Sequence, residues 1–218
     1  MRFLLLLLLA APMWIGPRAS AIVVGQVDDF QNGTLQDWTG GATPSNVASG
    51  GPAGSGDRYL EIDAANGKLG TYNVTQWTGN YSSASVGALR FALNNAGPDP
   101  VALRITVLGP TVATAFTTTN ETVLPAQSGW VLVDFALDEA SLTRTSGTAT
   151  LAQTLASVTK LLLRHDPDPI SPPGQSNLVS ATLGIDNVTA LPEPGSALLL
   201  ASGLTALASL RRACRRGW

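Results

Sequence analysis

The sequence predicts an all-β fold, an antiparallel β-sandwich, that follows a signal peptide and precedes a single transmembrane helix. Three observations lead to this prediction. Apolar and polar residues alternate with a period of two through the middle of the 218-residue chain, which is the pattern of half-buried strands. Clusters of Gly, Pro, Asn, Asp and Ser separate the alternating segments, as turns do. Both ends of the chain instead carry an uncharged apolar run beside basic residues.

The first 21 residues have the form of a secretory signal peptide. Arg2 supplies the positive start, and Phe3 to Ala11 form an apolar run that is too short for a stable membrane span. Ala19 and Ala21 give the small-x-small pattern that signal peptidase cleaves. We therefore expect an exported protein whose mature chain begins at Ile22.

Residues 22–190 have the size of one ordinary domain, and most of this region is predicted to form strands. Many short strands separated by turns indicate a sandwich of two antiparallel sheets. Asp138–Ser141 and Leu151–Leu155 are less regular and are expected to form helical turns. The predicted strands are Val27–Phe30, Arg58–Ile62, Leu69–Val74, Leu89–Leu93, Val101–Leu108, Thr111–Thr119, Trp130–Leu137, Val158–Arg164 and Ala181–Leu191.

The charge of this domain excludes one class of function. The chain has 13 Lys and Arg residues, and the six in its two ends leave 7; it has 15 Asp and Glu residues, and setting aside Glu193 leaves 14. The resulting net charge of −7 does not suit nucleic-acid binding, which requires clustered basic residues. The single cysteine, Cys214, lies in the basic tip, so no disulfide can stabilise the domain.

Residues 191–218 combine three features in a fixed order. Pro192, Glu193 and Pro194 come first, an uncharged run over residues 195–210 follows, and a basic tip ends the chain. As a helix the run would be about 24 Å long, slightly less than the roughly 30 Å hydrocarbon core, which predicts a minimal transmembrane helix. Because arginine crosses a bilayer at high cost, the tip is expected to stay cytoplasmic. The tip contains Arg211, Arg212, Arg215 and Arg216.

This arrangement resembles the PEP-CTERM sorting signals of exopolysaccharide-producing Gram-negative bacteria. The resemblance implies that an exosortase recognises Pro192, Glu193 and Pro194 as substrate residues and cleaves the chain near them. Because two prolines fix φ and remove two N–H donors, we expect the motif to be extended and unpaired. The protein would be anchored in the inner membrane before processing and would then reach the cell surface or extracellular matrix. The alternatives are a simple tail anchor and a Gram-positive sortase signal, whose pattern has Thr where this chain has Pro194.

A second resemblance concerns the domain itself. Four segments look like those of jelly-roll domains of the carbohydrate-binding and laminin-like type. The resemblance implies a jelly-roll β-sandwich in which the first and last strands are neighbours, so that the two ends of the domain lie close together. The segments are residues 27–38, 59–62, 129–137 and 183–188.

Many such domains hold a structural calcium ion where the first and last strands meet. By this resemblance, Asp28 or Asp29 and Asp186 are expected to be calcium ligands, with Glu61 or Asp63 as further candidates. Calcium takes about six to eight oxygen ligands, of which carboxylates supply a part. The chain contains no contiguous calcium loop, and the alternative is that these aspartates end strands or cap turns.

If the domain binds sugar, aromatic rings should supply the contact surface, because ring faces stack on apolar C–H patches. Trp77 and Tyr81 lie in a loop among amides and hydroxyls and are the predicted ligand-binding residues. Packing at a strand edge is an equally good account of them. Trp38 and Trp130 fall where inward strand residues are expected and are predicted to pack in the core.

The sequence does not predict an enzyme. His165 is the only histidine, and no Ser or Cys stands in a recognised nucleophile setting. The paired carboxylates of a glycoside hydrolase need only meet in space, so a secreted hydrolase is the alternative of a different class. We expect an exported cell-surface or biofilm-matrix protein that acts by binding or as a structural component. The main alternative is a carbohydrate-binding module that recognises exopolysaccharide.

Overall fold

The computed structural model describes residues 22–110, 114–167, 170–175 and 177–193. Within these residues the chain forms mostly β-strands and one short helix, α1, over Leu151–Leu155. The strands are β1 (Val27–Asp28), β2 (Ser45–Val47), β3 (Tyr59–Lys68), β4 (Gly70–Asn73), β5 (Val86–Asn95), β6 (Val101–Leu108), β7 (Ala115–Thr118), β8 (Thr122–Leu124), β9 (Trp130–Ala136), β10 (Leu142–Ser146), β11 (Lys160–His165) and β12 (Leu178–Pro192).

These strands form two antiparallel sheets that pack as a β-sandwich. Sheet A has the order β2-β3-β12-β5-β9, and β1 also pairs with β12. Sheet B has the order β10-β7-β6-β11-β4, and β8 also pairs with β6. From β3 to β6, consecutive strands alternate between the two sheets. The predicted all-β sandwich is confirmed.

The core lies between the two sheets and is built from alternate residues of each strand. In β3, Leu60 and Ile62 are fully buried, whereas the residues between them face outward. Phe91 of β5 packs edge-to-face against Trp38 and Phe135, with ring centroids 6.2 and 5.6 Å apart. Such pairs prefer this geometry because the positive edge of one ring meets the negative face of the other.

The first and last strands are neighbours, as the jelly-roll resemblance implied. Val27 pairs with Thr189, and Asp28 pairs with Val188. The N–H of Gly25 also donates to the carbonyl of Ala190 at 2.9 Å. The beginning and end of the described domain therefore lie side by side.

The end of β12 corrects the expectation that the Pro-Glu-Pro motif is unpaired. Pro192 is the last residue of β12 and lies opposite Val86, and the Glu193 N–H donates to the carbonyl of Ser85 at 3.0 Å. A Cβ on Gly87 would lie 2.5 Å from Glu193 Cα, so the backbones pack closely here. Proline lacks a backbone N–H but keeps its carbonyl acceptor. It can therefore end a strand when the next residue, here Glu193, donates the N–H.

Most of the predicted elements are present. The strand predicted at Val101–Leu108 has the bounds of β6, and Leu151–Leu155 is helical, with Thr150 as its N-cap. Asp138–Ser141 forms one helical turn, in which the Asp138 carbonyl accepts the N–H groups of Ser141 and Leu142 and the Asp138 carboxylate accepts two N–H groups of the turn. The strands β2, β8 and β10 were not predicted from the sequence.

Several predictions concern residues outside the described ranges. These are the signal peptide (1–21) with Ala19 and Ala21, Pro194, the helix at 195–210, and the tip with Arg211, Arg212, Arg215 and Arg216. In the part of the chain that the structure does describe, no helix has the length and apolar character needed to cross a membrane.

Candidate functional site

Trp77 and Tyr81, the predicted ligand-binding residues, are core residues. Both side chains are 0% exposed, so neither has a surface with which to contact a sugar. The Tyr81 hydroxyl donates to the Trp77 carbonyl at 3.0 Å, and burial raises the pKa of Tyr81 above its usual range. The prediction of a contact surface at these two rings is corrected, because the polar residues around them in sequence do not keep them at the surface.

Asp28 explains why Trp77 turns inward. Its Oδ2 accepts hydrogen bonds from the indole N–H groups of Trp38 (2.7 Å) and Trp77 (2.6 Å), and from Gln76 Nε2 at 3.2 Å. Burial raises the pKa of Asp28, and the hydrogen bonds from the indoles oppose this shift. The carboxylate thus satisfies two buried indole donors at the point where β1 meets the core.

The three aspartates predicted as calcium ligands have different surroundings. The oxygens of Asp28 face N–H donors, which does not fit a calcium ligand. Asp29 is half-buried and accepts the N–H of Gln31 at 3.2 Å. Across the described ranges, no three His, Cys, Asp or Glu side chains are grouped closely enough to hold a metal ion. Calcium binding at these aspartates stays a prediction, since calcium also accepts backbone carbonyls as ligands.

Asp186 is the one of these aspartates with an open position. Its side chain is 0% exposed; Oδ2 accepts from Asn187 Nδ2 at 3.0 Å, and Oδ1 has no hydrogen-bond partner among the described residues. Burial raises the pKa of Asp186 to about 7, and the charges of Asp57 and Asp29 add to the shift. A buried carboxylate with one oxygen unpaired favours its neutral form, because too few donors replace the water that would stabilise its charge.

The outer face of sheet A carries an aromatic pair. Tyr59 of β3 and Trp130 of β9 are half-buried and meet edge-to-face, with ring centroids 5.2 Å apart and ring planes at 81°. Between them lies Gly184 of β12, where an added Cβ would be 2.9 Å from Trp130 Cη2 and 3.3 Å from Tyr59 Cδ2. The indole therefore reaches from β9 across β5 to β12, where glycine leaves room for it. We call Tyr59, Trp130 and Gly184 the aromatic platform.

Hydrogen bonds hold both rings of the platform in place. Trp130 Nε1 donates to the carbonyl of Gly50 at 2.8 Å, which ties the indole to the loop between β2 and β3. The Tyr59 hydroxyl donates to Glu61 Oε2 at 3.2 Å. Burial and the Glu61 charge raise the pKa of Tyr59, so the hydroxyl is a protonated donor at neutral pH. Rings fixed in this way lose little entropy when they contact a ligand.

Polar side chains surround the platform on the same face. Glu61 pairs with Gly184 across β3 and β12, and Asn94 of β5 pairs with both Gly184 and Trp130. Thr182 donates to Asp63 Oδ1 at 2.6 Å one step along these strands. Carboxylate, amide and hydroxyl groups beside ring faces are the combination that orients sugar hydroxyls while apolar patches stack. The surface is therefore suited chemically to a polar ligand with apolar faces.

Trp130 was predicted to pack in the core, but it lies on the outer face of sheet A. In β9 the buried residues are Val133 and Phe135, so odd positions face inward and Trp130 falls on the outer face. In β3 the even positions face inward, so Tyr59 lies on the outer face next to inward Leu60. The alternation of inward and outward residues can be read from the sequence. The contact between the two rings over Gly184 cannot, because it depends on the pairing of strands that are distant in sequence.

His165 has a structural role. Its side chain is 6% exposed, and Nδ1 accepts the backbone N–H of Ala102 at 3.0 Å. Burial lowers the pKa of His165, which favours the neutral ring that this hydrogen bond requires. This hydrogen bond thus links β11 to β6.

Comparison with solved structures identifies the fold. The carbohydrate-binding module CtCBM11 matches with a TM-score of 0.52 and 16% identity over 78% of this chain and 96% of that chain. The chain shares the sandwich fold of this module. An exo-beta-agarase structure matches with a TM-score of 0.52 and 16% identity, over 76% of this chain but only 24% of the agarase. A family 11 module from Clostridium thermocellum, in complex with a β-1,3-1,4-mixed-linked tetrasaccharide, has a TM-score of 0.49 and 17% identity over 79% of this chain and 98% of that chain.

At these identities the likeness establishes the fold alone. No protein-family model matches the chain, and no curated protein matches it. The function must therefore be argued from the site.

Proposed function

We propose that this chain is a carbohydrate-binding protein with a jelly-roll domain, and that the aromatic platform contacts the sugar. The observation that carries the proposal is the Tyr59–Trp130 pair, held half-exposed over Gly184 among carboxylate, amide and hydroxyl groups. The alternation of consecutive strands between two sheets supports the jelly roll. The shared fold with CtCBM11 supports the function.

The platform accounts for sugar binding in physical terms. A pyranose ring has an apolar C–H face, which gains contact area on an indole or phenol face, and hydroxyls at its edge, which need partners. Glu61 and Asp63 can accept hydrogen bonds from such hydroxyls, and Asn94 can both accept and donate. The site acts by binding, through ring faces surrounded by carboxylate, amide and hydroxyl groups.

Titration calorimetry with soluble oligosaccharides tests the proposal. The panel contains a β-1,3-1,4-mixed-linked tetrasaccharide, agarose oligosaccharides and fragments of bacterial exopolysaccharide. Trp130→Ala should weaken the best ligand at least tenfold, which corresponds to about 1.4 kcal/mol. Tyr59→Phe removes only the hydroxyl and should have a smaller effect.

Val123→Ala is the matched control, because Val123 is an exposed apolar residue, 57% accessible, on β8 of the other sheet. It should leave the affinity unchanged. Retention of full affinity by Trp130→Ala would refute the platform, and no binding across the panel would refute carbohydrate recognition. Release of reducing ends from any oligosaccharide would instead support the glycoside hydrolase alternative.

We propose further that the protein is exported by a Gram-negative bacterium, held in the inner membrane, and processed by an exosortase for the cell surface or matrix. The support is the order of features in residues 191–218, a Pro-Glu-Pro motif, an apolar run and an arginine tip. Pro192 pairs with Val86 of β5, and Glu193 donates to the carbonyl of Ser85. The last residues of β12 would therefore have to separate from these partners before an exosortase could bind them. The mass of the cellular protein tests this: an end near residue 192 supports processing, and retention of Trp218 overturns it.

A further inference from the structure

The outer face of sheet B contains a cavity separate from the aromatic platform. It has a volume of about 350 Å³ and lies between β4, β11 and the loop that precedes β12. Lys68, Leu69, Tyr72, Lys160 and Leu162 are among the residues that line it. The volume is near the lower end of the roughly 300–1,000 Å³ range of small-molecule sites, so the cavity has room for about one sugar ring.

The charge around this cavity is opposite to that of the domain. Lys68 and Lys160 are the only two lysines in the chain, 92 positions apart, and both line the cavity. Arg164 also lines it, but its guanidinium is paired with Asp166 at 2.6 Å. Neither lysine forms an ion pair with a carboxylate of the described residues. In a domain of net charge −7, two unneutralised ammonium groups at one cavity create a local site for an anion.

Both ammonium groups are held in position. Lys160 Nζ lies 4.2 Å from the centroid of the Tyr72 ring, a cation–π contact. The ring in turn is fixed by Gly40, where an added Cβ would lie 2.1 Å from Tyr72 Cε1. Lys68 Nζ donates to the carbonyl of Gly174 at 2.7 Å and has two further N–H donors. Fixed cations lose less entropy on binding than free lysine side chains do.

We propose that this cavity binds a carboxylate-bearing sugar, a uronic acid residue. Leu162, which is half-buried, would contact the apolar face of the ring, and the two ammonium groups would bind its carboxylate. The choice of a sugar over another organic acid rests on the proposed carbohydrate function. The site itself is independent of the platform, since it lies on the opposite sheet.

The two lysines provide a direct readout. Reductive ¹³C-methylation keeps the charge of each amine, so the full chain gives two lysine signals in an NMR spectrum besides that of its terminal amine. Both lysine signals should shift in titrations with glucuronate, and neither should shift with glucose. A titration with sodium sulfate at the same ionic strength shows whether any anion gives the same shifts as a sugar carboxylate. Equal shifts with sulfate would overturn the uronic acid assignment.

Variants complete the test. Lys160→Gln should weaken glucuronate binding at least tenfold in calorimetry, and Lys68→Gln should weaken it by a smaller factor. Arg144→Gln is the control, because Arg144 is an exposed basic residue on β10 of the same sheet and does not line the cavity. Trp130→Ala should leave glucuronate binding intact, so that failure of the platform and failure of this cavity are distinguishable. Full affinity in Lys160→Gln, or loss of affinity in Arg144→Gln, would refute the site.

Discussion

Replacing Asp186 with asparagine should stabilise the domain at neutral pH, although it removes a charged residue from a central strand. The carboxylate is buried, its Oδ1 lacks a partner in the described structure, and its pKa rises from 3.8 to about 7. The folded state therefore binds the proton more tightly than the unfolded state does. The stability that this provides is fully present below pH 3.8 and is lost as the pH rises to about 7.

The size of the effect follows from the shift. About three pKa units at about 1.4 kcal/mol each give roughly 4 kcal/mol between acid and neutral pH. Asparagine cannot ionise, so the variant does not lose this stability. Its amide places an NH₂ group without a partner at the buried Oδ1 position, which costs about 1 kcal/mol or more. At pH 8 we expect Asp186→Asn to be more stable than the wild type by about 2–3 kcal/mol, and at pH 4 to be equal or slightly weaker.

Urea unfolding followed by tryptophan fluorescence, from pH 4 to pH 9 with a chelator present, measures this difference. Asp37→Asn is the matched control: Asp37 is exposed, and its replacement changes the net charge by the same amount. The control should give no gain. If Asp186→Asn is no more stable at pH 8 than at pH 4 relative to the wild type, the account of a buried, unsatisfied carboxylate is wrong.

Repeating the measurement in calcium tests the remaining metal expectation. An ion bound at Asp186 and Asp29 would stabilise the wild type by mass action and leave Asp186→Asn unchanged. The order of stabilities would then reverse when calcium replaces the chelator. If calcium changes neither protein, no calcium site exists at these aspartates.

Three other predictions concern the core and the platform. Asp28→Ala leaves two buried indole N–H groups unpaired and should cost about 1–3 kcal/mol for each, whereas Asp28→Asn keeps an acceptor and should cost much less in the same urea assay. Gly184→Ala places a methyl group 2.9 Å from Trp130 Cη2, so it should weaken oligosaccharide binding as Trp130→Ala does while the domain stays folded; unchanged affinity would show that the ring position is unimportant. Because Nδ1 of His165 accepts the Ala102 N–H and burial lowers its pKa, the Cε1–H signal of this histidine in NMR should titrate below pH 6.5, and stability should fall as the pH drops from 6.5 through the lowered pKa; a titration at or above pH 6.5 would contradict the buried hydrogen bond.

The sequence predicted strands well where apolar residues alternate without interruption. Val101–Leu108 was located to the residue because its inward valines, leucine and isoleucine are strictly alternate. Leu142–Ser146 was missed because Leu142 is its only buried residue, and Thr, Arg and Ser follow it. A strand stabilised by pairing with β7 carries little local hydrophobic signal.

The candidate sites were less predictable because each depends on residues that are far apart in sequence. Trp77 was predicted from its polar neighbours either to contact a ligand or to pack at a strand edge, but its indole meets Asp28, 49 positions earlier. The platform joins Tyr59, Trp130 and Gly184 from three strands. The alternation of apolar and polar residues in β9 and β3 predicts which residues face outward. Which outward residues meet depends on the order of strands in sheet A, and no local sequence pattern encodes that order.

The two proposed sites impose a geometric condition on any polymer they share. The sheets of a sandwich pack about 10 Å apart, and the platform and the cavity lie on outer faces that point in opposite directions. One sugar residue cannot touch both, and a stiff polysaccharide cannot fold around the domain to reach both.

A polymer with neutral and acidic residues would therefore be held at one face while a second chain occupies the other, and each protein would crosslink two chains. Such crosslinking needs both sites, so Trp130→Ala or Lys160→Gln alone should abolish it while leaving one binding event intact. That separation distinguishes a matrix crosslinker from a domain that only anchors its own chain to a polysaccharide.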